Sequence, residues 1–84
     1  MDASRVHTLN EYAERLASIK GACANARLVR HGIGEPQLQL TVFRHHGRVH
    51  PKYTQEFPLY LADLRTRIHQ HVEIGVNRIR DDRC

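Results

Sequence analysis

Gln37-Leu-Gln-Leu-Thr-Val-Phe-Arg-His-His-Gly-Arg-Val-His-Pro-Lys-Tyr-Thr-Gln-Glu-Phe57 is the stretch from which the fold is read. Leu38, Leu40 and Val42 alternate with Gln37, Gln39 and Thr41, the period of two that marks a strand buried on one face. In the second run Val49, Pro51 and Tyr53 fall on one face, and His50, Lys52 and Thr54 on the other. His46-Gly47 lies between the runs, and Gly47 can take a positive φ without steric cost. The pattern predicts a β-hairpin with strands over about residues 37–45 and 48–57. A two-residue turn there pairs Arg44 with Val49, Val42 with Pro51 and Leu40 with Tyr53. A slip of one residue would turn one strand's apolar set to water, so the facing is well specified. Pro51 has no N–H to donate, which puts the second strand at an edge or makes it irregular there.

Working outward, Thr8-Leu9-Asn10-Glu11 fits a capping box. Leu9, Tyr12, Leu16, Ile19, Cys23 and Ala26 then recur at alternating steps of three and four, an apolar helical stripe that Val29 extends. A helix over about 8–31 is expected, after a loose start at residues 1–7. Ala13, Ala17 and Gly21 form a second, small-residue row. Gly32 and Gly34 supply the stop, and Pro36 lies beyond it. On the other side, Pro58 suits the first turn of a second helix, over about 58–80. Leu61, Leu64, Ile68, Val72, Gly75 or Val76, and Ile79 mark its buried side. Gly75 suggests a bend or a close crossing over the first helix. The fold class is therefore α+β, helix–hairpin–helix (αββα), with both helices on one face of a small antiparallel sheet. Leu16, Ile19, Leu40, Val42, Tyr53, Leu64, Ile68 and Val72 should share one core.

The chain has 84 residues, of which 40% are hydrophobic and 6% aromatic, enough for a single domain with one modest core. No apolar run approaches the ~18 to 20 residues of a membrane span. Residues 1–5 lack the apolar region of a signal peptide, so a cytoplasmic location and no membrane contact are expected. The net charge of +4 permits nucleic acid or an acidic protein surface as partner. The basic residues are spread along the chain, with no basic run.

Seven histidines invite a test for metal. His45, His46 and His50 gather at the hairpin tip. Adjacent His45 and His46 point to opposite faces of a strand, and His50 can approach His45 across the hairpin, but no third ligand is evident. His69 and His71 are two apart on a helix, so they diverge by about 200° and cannot chelate together. All are assigned as solvated side chains, with no metal and no cofactor. Cys23 reads as a small buried hydrophobe in a helix, and Cys84 as an exposed thiol. Arg30-His31-Gly32 resembles the triplet of histidine phosphatases, but it follows a helix and covers three residues only. No nucleophile motif or phosphate loop is present, and an enzyme is not expected.

The order helix, strand, strand, helix resembles part of a double-stranded-RNA-binding domain. That family has three strands and a lysine-rich start to its second helix. Here that start is Pro58-Leu59-Tyr60-Leu61-Ala62-Asp63, apolar and then acidic, so the family is not assigned. What remains is a small interaction protein, a stoichiometric regulator or inhibitor acting on an unidentified protein partner. It resembles phage and mobile-element inhibitors, including anti-CRISPR proteins, in size class alone. The alternative is nucleic-acid binding through the outer hairpin face, with Phe43, Arg48, His50 and Lys52 as contacts. The first strand carries no proline and no charge from Gln37 to Phe43. Its edge, with Gln37, Gln39, Thr41 and Phe43, is expected to pair with a second copy in a homodimer. Residues 28–36, or the tail after Ile79, are the segments that would otherwise cover that edge.

Overall fold

The computed structural model describes residues 2–44 and 52–81. Along the chain run α1 (Asp2–Ile19), β1 (Cys23–Val29), β2 (Gln37–Phe43), β3 (Lys52–Pro58) and α2 (Leu64–Asp81). The strands form one antiparallel sheet in the order β1-β2-β3. This is an α+β fold with helices flanking the sheet in sequence, as the hydrophobic patterning predicts.

The sheet has one strand more than that patterning predicts. Cys23–Val29 does not continue α1 but pairs with β2, Ala26 opposite Leu40 and Asn25 opposite Thr41. The expected helix over 8–31 is thus corrected at both ends. It starts earlier, with Asp2 in its first turn, where a carboxylate is favoured by the helix dipole. Thr8 and Glu11 therefore lie inside the helix, not at a capping box. Its stop is Gly21, at φ 76°. The Ala22 N–H reaches back to the Ala17 carbonyl at 2.9 Å and the Gly21 N–H to Ser18 at 3.0 Å, a Schellman closure. Gly32, at φ 69°, and Gly34 belong to the turn between β1 and β2 rather than to a helix end.

β2 and β3 form the expected antiparallel pair, two residues out of the expected register. Val42 faces Tyr53, Leu40 faces Gln55 and Leu38 faces Phe57. A shift of two keeps every side chain on its face, so the in–out pattern survives. The hairpin tip, with His45, His46, Gly47, Arg48, Val49, His50 and Pro51, lies outside the described residues. α2 begins at Leu64, not at Pro58, which closes β3. The Asp63 carbonyl accepts the first bond of α2, from the Arg67 N–H at 3.1 Å. Between β3 and α2, Leu59 is fully buried and its N–H donates to the Pro36 carbonyl at 3.1 Å.

Both helices cover one face of the sheet. α1 packs chiefly on β1, α2 on β2 and β3, and the helices touch each other. Leu38, Leu40, Val42, Leu64, Ile68 and Val72 are essentially inaccessible at the centre, with Leu16 and Tyr53 packed against them. Ile19 is the exception among the expected core residues. It is 77% exposed, because the helix ends there and its inward row is Leu9, Ala13 and Ala17. The small row is therefore the buried one. Ala13 and Ala17 on α1 and Ala24 and Ala26 on β1 are all buried, so the helix can lie close to the sheet. Asn10 fixes that approach, its Oδ1 accepting from the Ala26 N–H at 2.7 Å.

Gly75 marks a close approach, to the sheet rather than to α1. A Cβ there would lie 2.9 Å from Val42 Cβ and 3.1 Å from Tyr53 Cδ2. The expected dimer edge is also corrected. β2 is the central strand, bonded to β1 on one side and β3 on the other, so it offers no free edge.

Candidate functional site

With both helices on one side, no described element covers the other side of the sheet, the open face. The pairing lays its residues out in rows across the three strands. One row is Cys23, Phe43 and Lys52; the next is Asn25, Thr41 and Thr54. Then come Arg27, Gln39 and Glu56, and last Val29, Gln37 and Pro58. Asn25, Arg27, Gln39, Thr41, Phe43 and Thr54 line a shallow depression of about 410 Å³.

Short hydroxyls hold its floor. The Thr54 hydroxyl donates to the Thr41 hydroxyl at 3.1 Å across the strand pair. At one end His31 Nε2 lies 2.7 Å from Glu56 Oε1, tying the β1–β2 turn to β3. Arg30, from the same turn, reaches the Asp2 carboxylate at 3.1 Å and so anchors the turn to the start of α1. Amide and hydroxyl groups dominate the face, and both can donate and accept. Its ionic side chains among the described residues are Arg27 and Glu56, one of each sign.

Of the residues named from sequence, Phe43 and Lys52 are opposite each other in the β2–β3 register. Arg48 and His50 lie outside the described residues. Gln37, Gln39 and Thr41 are face residues in the middle of the sheet, not edge residues. Sequence reading missed Asn25 and Arg27, because it placed them on a helix. The signal was present: Ala24, Ala26 and Leu28 alternate with Asn25 and Arg27 at a period of two. Cys23 also changes role, from a buried helix residue to a half-buried free thiol on β1.

His71 differs most from its assignment as a solvated side chain. Only 3% of it is exposed. Its ring stacks on Tyr53 at 4.4 Å and meets the edge of Phe57 at 5.9 Å. Nε2 lies 3.1 Å from the Tyr53 carbonyl and is assigned as the donor; Nδ1 is buried with no hydrogen-bond partner among the described residues. Burial pushes its pKa below 6.5, and backbone carbonyls of Tyr53 and Leu40 act in the opposite direction. Among the described residues no three His, Cys, Asp or Glu side chains converge as metal ligands. Nor is any helix there long and apolar enough to cross a membrane.

In comparisons with known proteins the chain matches no family model, no curated protein and no solved structure.

Proposed function

We propose that this chain is a non-enzymatic protein-interaction module, a stoichiometric regulator or inhibitor, that engages its partner with the open face of its sheet. The observation that supports this reading is the one-sided packing, which leaves twelve of the described strand positions on a largely polar face with a shallow depression. A standard interface takes about 20–30 residues from each side. The adjoining β1–β2 turn extends the surface, and Ile33 at that turn is fully exposed and suited to be its apolar anchor.

Charge separates this reading from nucleic-acid binding. A protein that leans on phosphates commonly makes about 6–10 such contacts. Among the described side chains the open face offers one basic group, Arg27, and one acidic group, Glu56; Lys52 holds a strand position there by register, and Arg48 and His50 lie outside the described residues. Amide and hydroxyl rows suit backbone and side-chain groups of a protein better than a phosphate track.

The test is affinity capture from the source cells with the native chain and with an Arg27→Glu, Thr41→Lys variant. A protein partner should be retained by the native chain through about 0.5 M salt, where exposed charge pairs are screened, and lost by the variant. Retention of nucleic acid instead, with steep loss as salt rises, would replace this reading with the alternative. Equal capture by both chains would remove the open face from either reading.

A further inference from the structure

A concavity lies on the helical side, away from the open face. It is a groove of about 610 Å³ between the first half of α1 and the start of α2. Ser4, Arg5, Thr8, Tyr60, Arg65 and Thr66 supply its polar wall, and Leu9, Ala62 and Leu64 its apolar one. That volume suits a small molecule of roughly nucleotide size.

Its charges are unevenly matched. Asp63, which also lines the groove, is engaged by Arg67, whose Nε donates to Oδ2 at 3.1 Å. The neighbouring Asp2 accepts from the Tyr60 hydroxyl and from Arg30, and is likewise engaged. Neither groove arginine has a carboxylate partner among the described residues. Arg5 is held by other means. Its Nε donates to the Leu59 carbonyl at 2.8 Å, and its guanidinium lies 5.5 Å from the Tyr60 ring centre. Arg65 lies 4.9 Å from the centre of the Tyr12 ring. Two guanidinium groups are thus oriented by backbone and aromatic contacts, not consumed by acids. Three aliphatic hydroxyls stand beside them.

We propose that this groove binds a small phosphate ester. Arg5 and Arg65 take the phosphate, since a planar guanidinium fork matches phosphate oxygens in pairs. Ser4, Thr8 and Thr66 donate to the remaining oxygens. The exposed Ala62 and Tyr60 ring receive the organic part, with the buried Leu9 and Leu64 beneath them. This site is separate from the open face and independent of the partner that face engages.

The experiment is an amide-shift titration of the full chain by NMR with inorganic phosphate, phenyl phosphate and a single-stranded oligonucleotide. Saturable shifts should centre on Ser4, Thr8, Arg65 and Thr66. Phenyl phosphate should bind more tightly than inorganic phosphate, because the apolar wall contributes to it alone. Arg65→Gln alters an exposed side chain and should weaken phenyl phosphate about tenfold, the loss of one charge-assisted contact. Thr66→Val should weaken it less, and Arg27→Gln on the opposite face should leave it unchanged. No saturation by about 10 mM, a binding free energy near 3 kcal/mol, would overturn the proposal. So would equal weakening by Arg27→Gln, which means diffuse attraction. A groove that shifts with the oligonucleotide and not with phenyl phosphate would assign these arginines to a nucleic-acid backbone and overturn the small-ester reading.

Discussion

His71 and Gly75 are one helical turn apart, and both press on Tyr53. The His71 ring is accepted in the core as the neutral form. Above pH 6.5, its ordinary value, folded and unfolded chains both carry it neutral and the full stability is present. As pH falls below that point the unfolded chain takes a proton that the folded chain resists. Stability therefore drops until the lower folded pKa is passed, then levels off. His71→Phe keeps an aromatic ring over Tyr53 and removes the titration. Denaturant melts at about pH 7.5 and 5 should show a smaller acid loss in the variant than in the native chain. The same loss in both would place the acid sensitivity elsewhere. Gly75→Ala makes the opposite kind of test. Alanine gains about 1 kcal/mol of helix propensity over glycine. The added methyl would sit 2.9 Å from Val42 Cβ, which is backbone-anchored and cannot swing aside. A net loss of about 1–3 kcal/mol is expected, the cost of overpacking. A stabilised variant would mean that α2 sits further from the sheet.

At the scale of elements, the decisive boundary is Gly21. Its φ of 76° is strained for any residue with a Cβ, so Gly21→Ala should cost about 1–2 kcal/mol in thermal or denaturant melts. An unchanged melt would argue for a helix running through. Burial ranks two side chains that periodicity treats alike. Leu40→Ala should cost about 2–5 kcal/mol, while Ile19→Ala should stay within about 0.5 kcal/mol. The hairpin strands and the inward face of α2 were legible because each repeats one period over enough residues. β1 was not, because Cys23, Ala26 and Val29 happen to continue the three-four spacing of α1. Alanine supports a helix as readily as it fills a crowded strand, so Ala24 and Ala26 gave no contrary signal. Gly21 was the available marker, but it also fits a small-residue row with Ala13 and Ala17. The open face was half legible for the same reason: Thr41, Phe43, Lys52 and Thr54 come from β2 and β3, and the Asn25–Arg27 half comes with β1. His71 was opaque, since a histidine on the inward side of a helix differs from a solvated one only through Tyr53 and Phe57.

For the whole molecule, the strand order decides which surfaces are free. Asn10 occupies the Ala26 N–H at the outer edge of β1, and no described strand lies beyond β3. We therefore place the homodimer proposal at β3, as an antiparallel pair of two β3 strands. Light scattering at micromolar concentration should give twice the chain mass. Thr54→Lys, which sets like charges side by side in that pair, should shift it toward monomer. A native monomer would end the dimer proposal without touching the open face. The open face itself depends on residues 23–29 forming the third strand, and NMR contacts between backbone Hα protons test that most directly. Ala26 faces Leu40 and Ala24 faces Val42, and the Ala26 N–H is turned outward to Asn10. Such non-hydrogen-bonded pairs bring Cα atoms to about 4.5 Å, so strong Hα–Hα contacts are expected for both pairs. Helical contacts from each residue to the third one on, running through 23–31, with neither cross-strand contact present, would contradict the fold and remove the surface on which the proposed function rests.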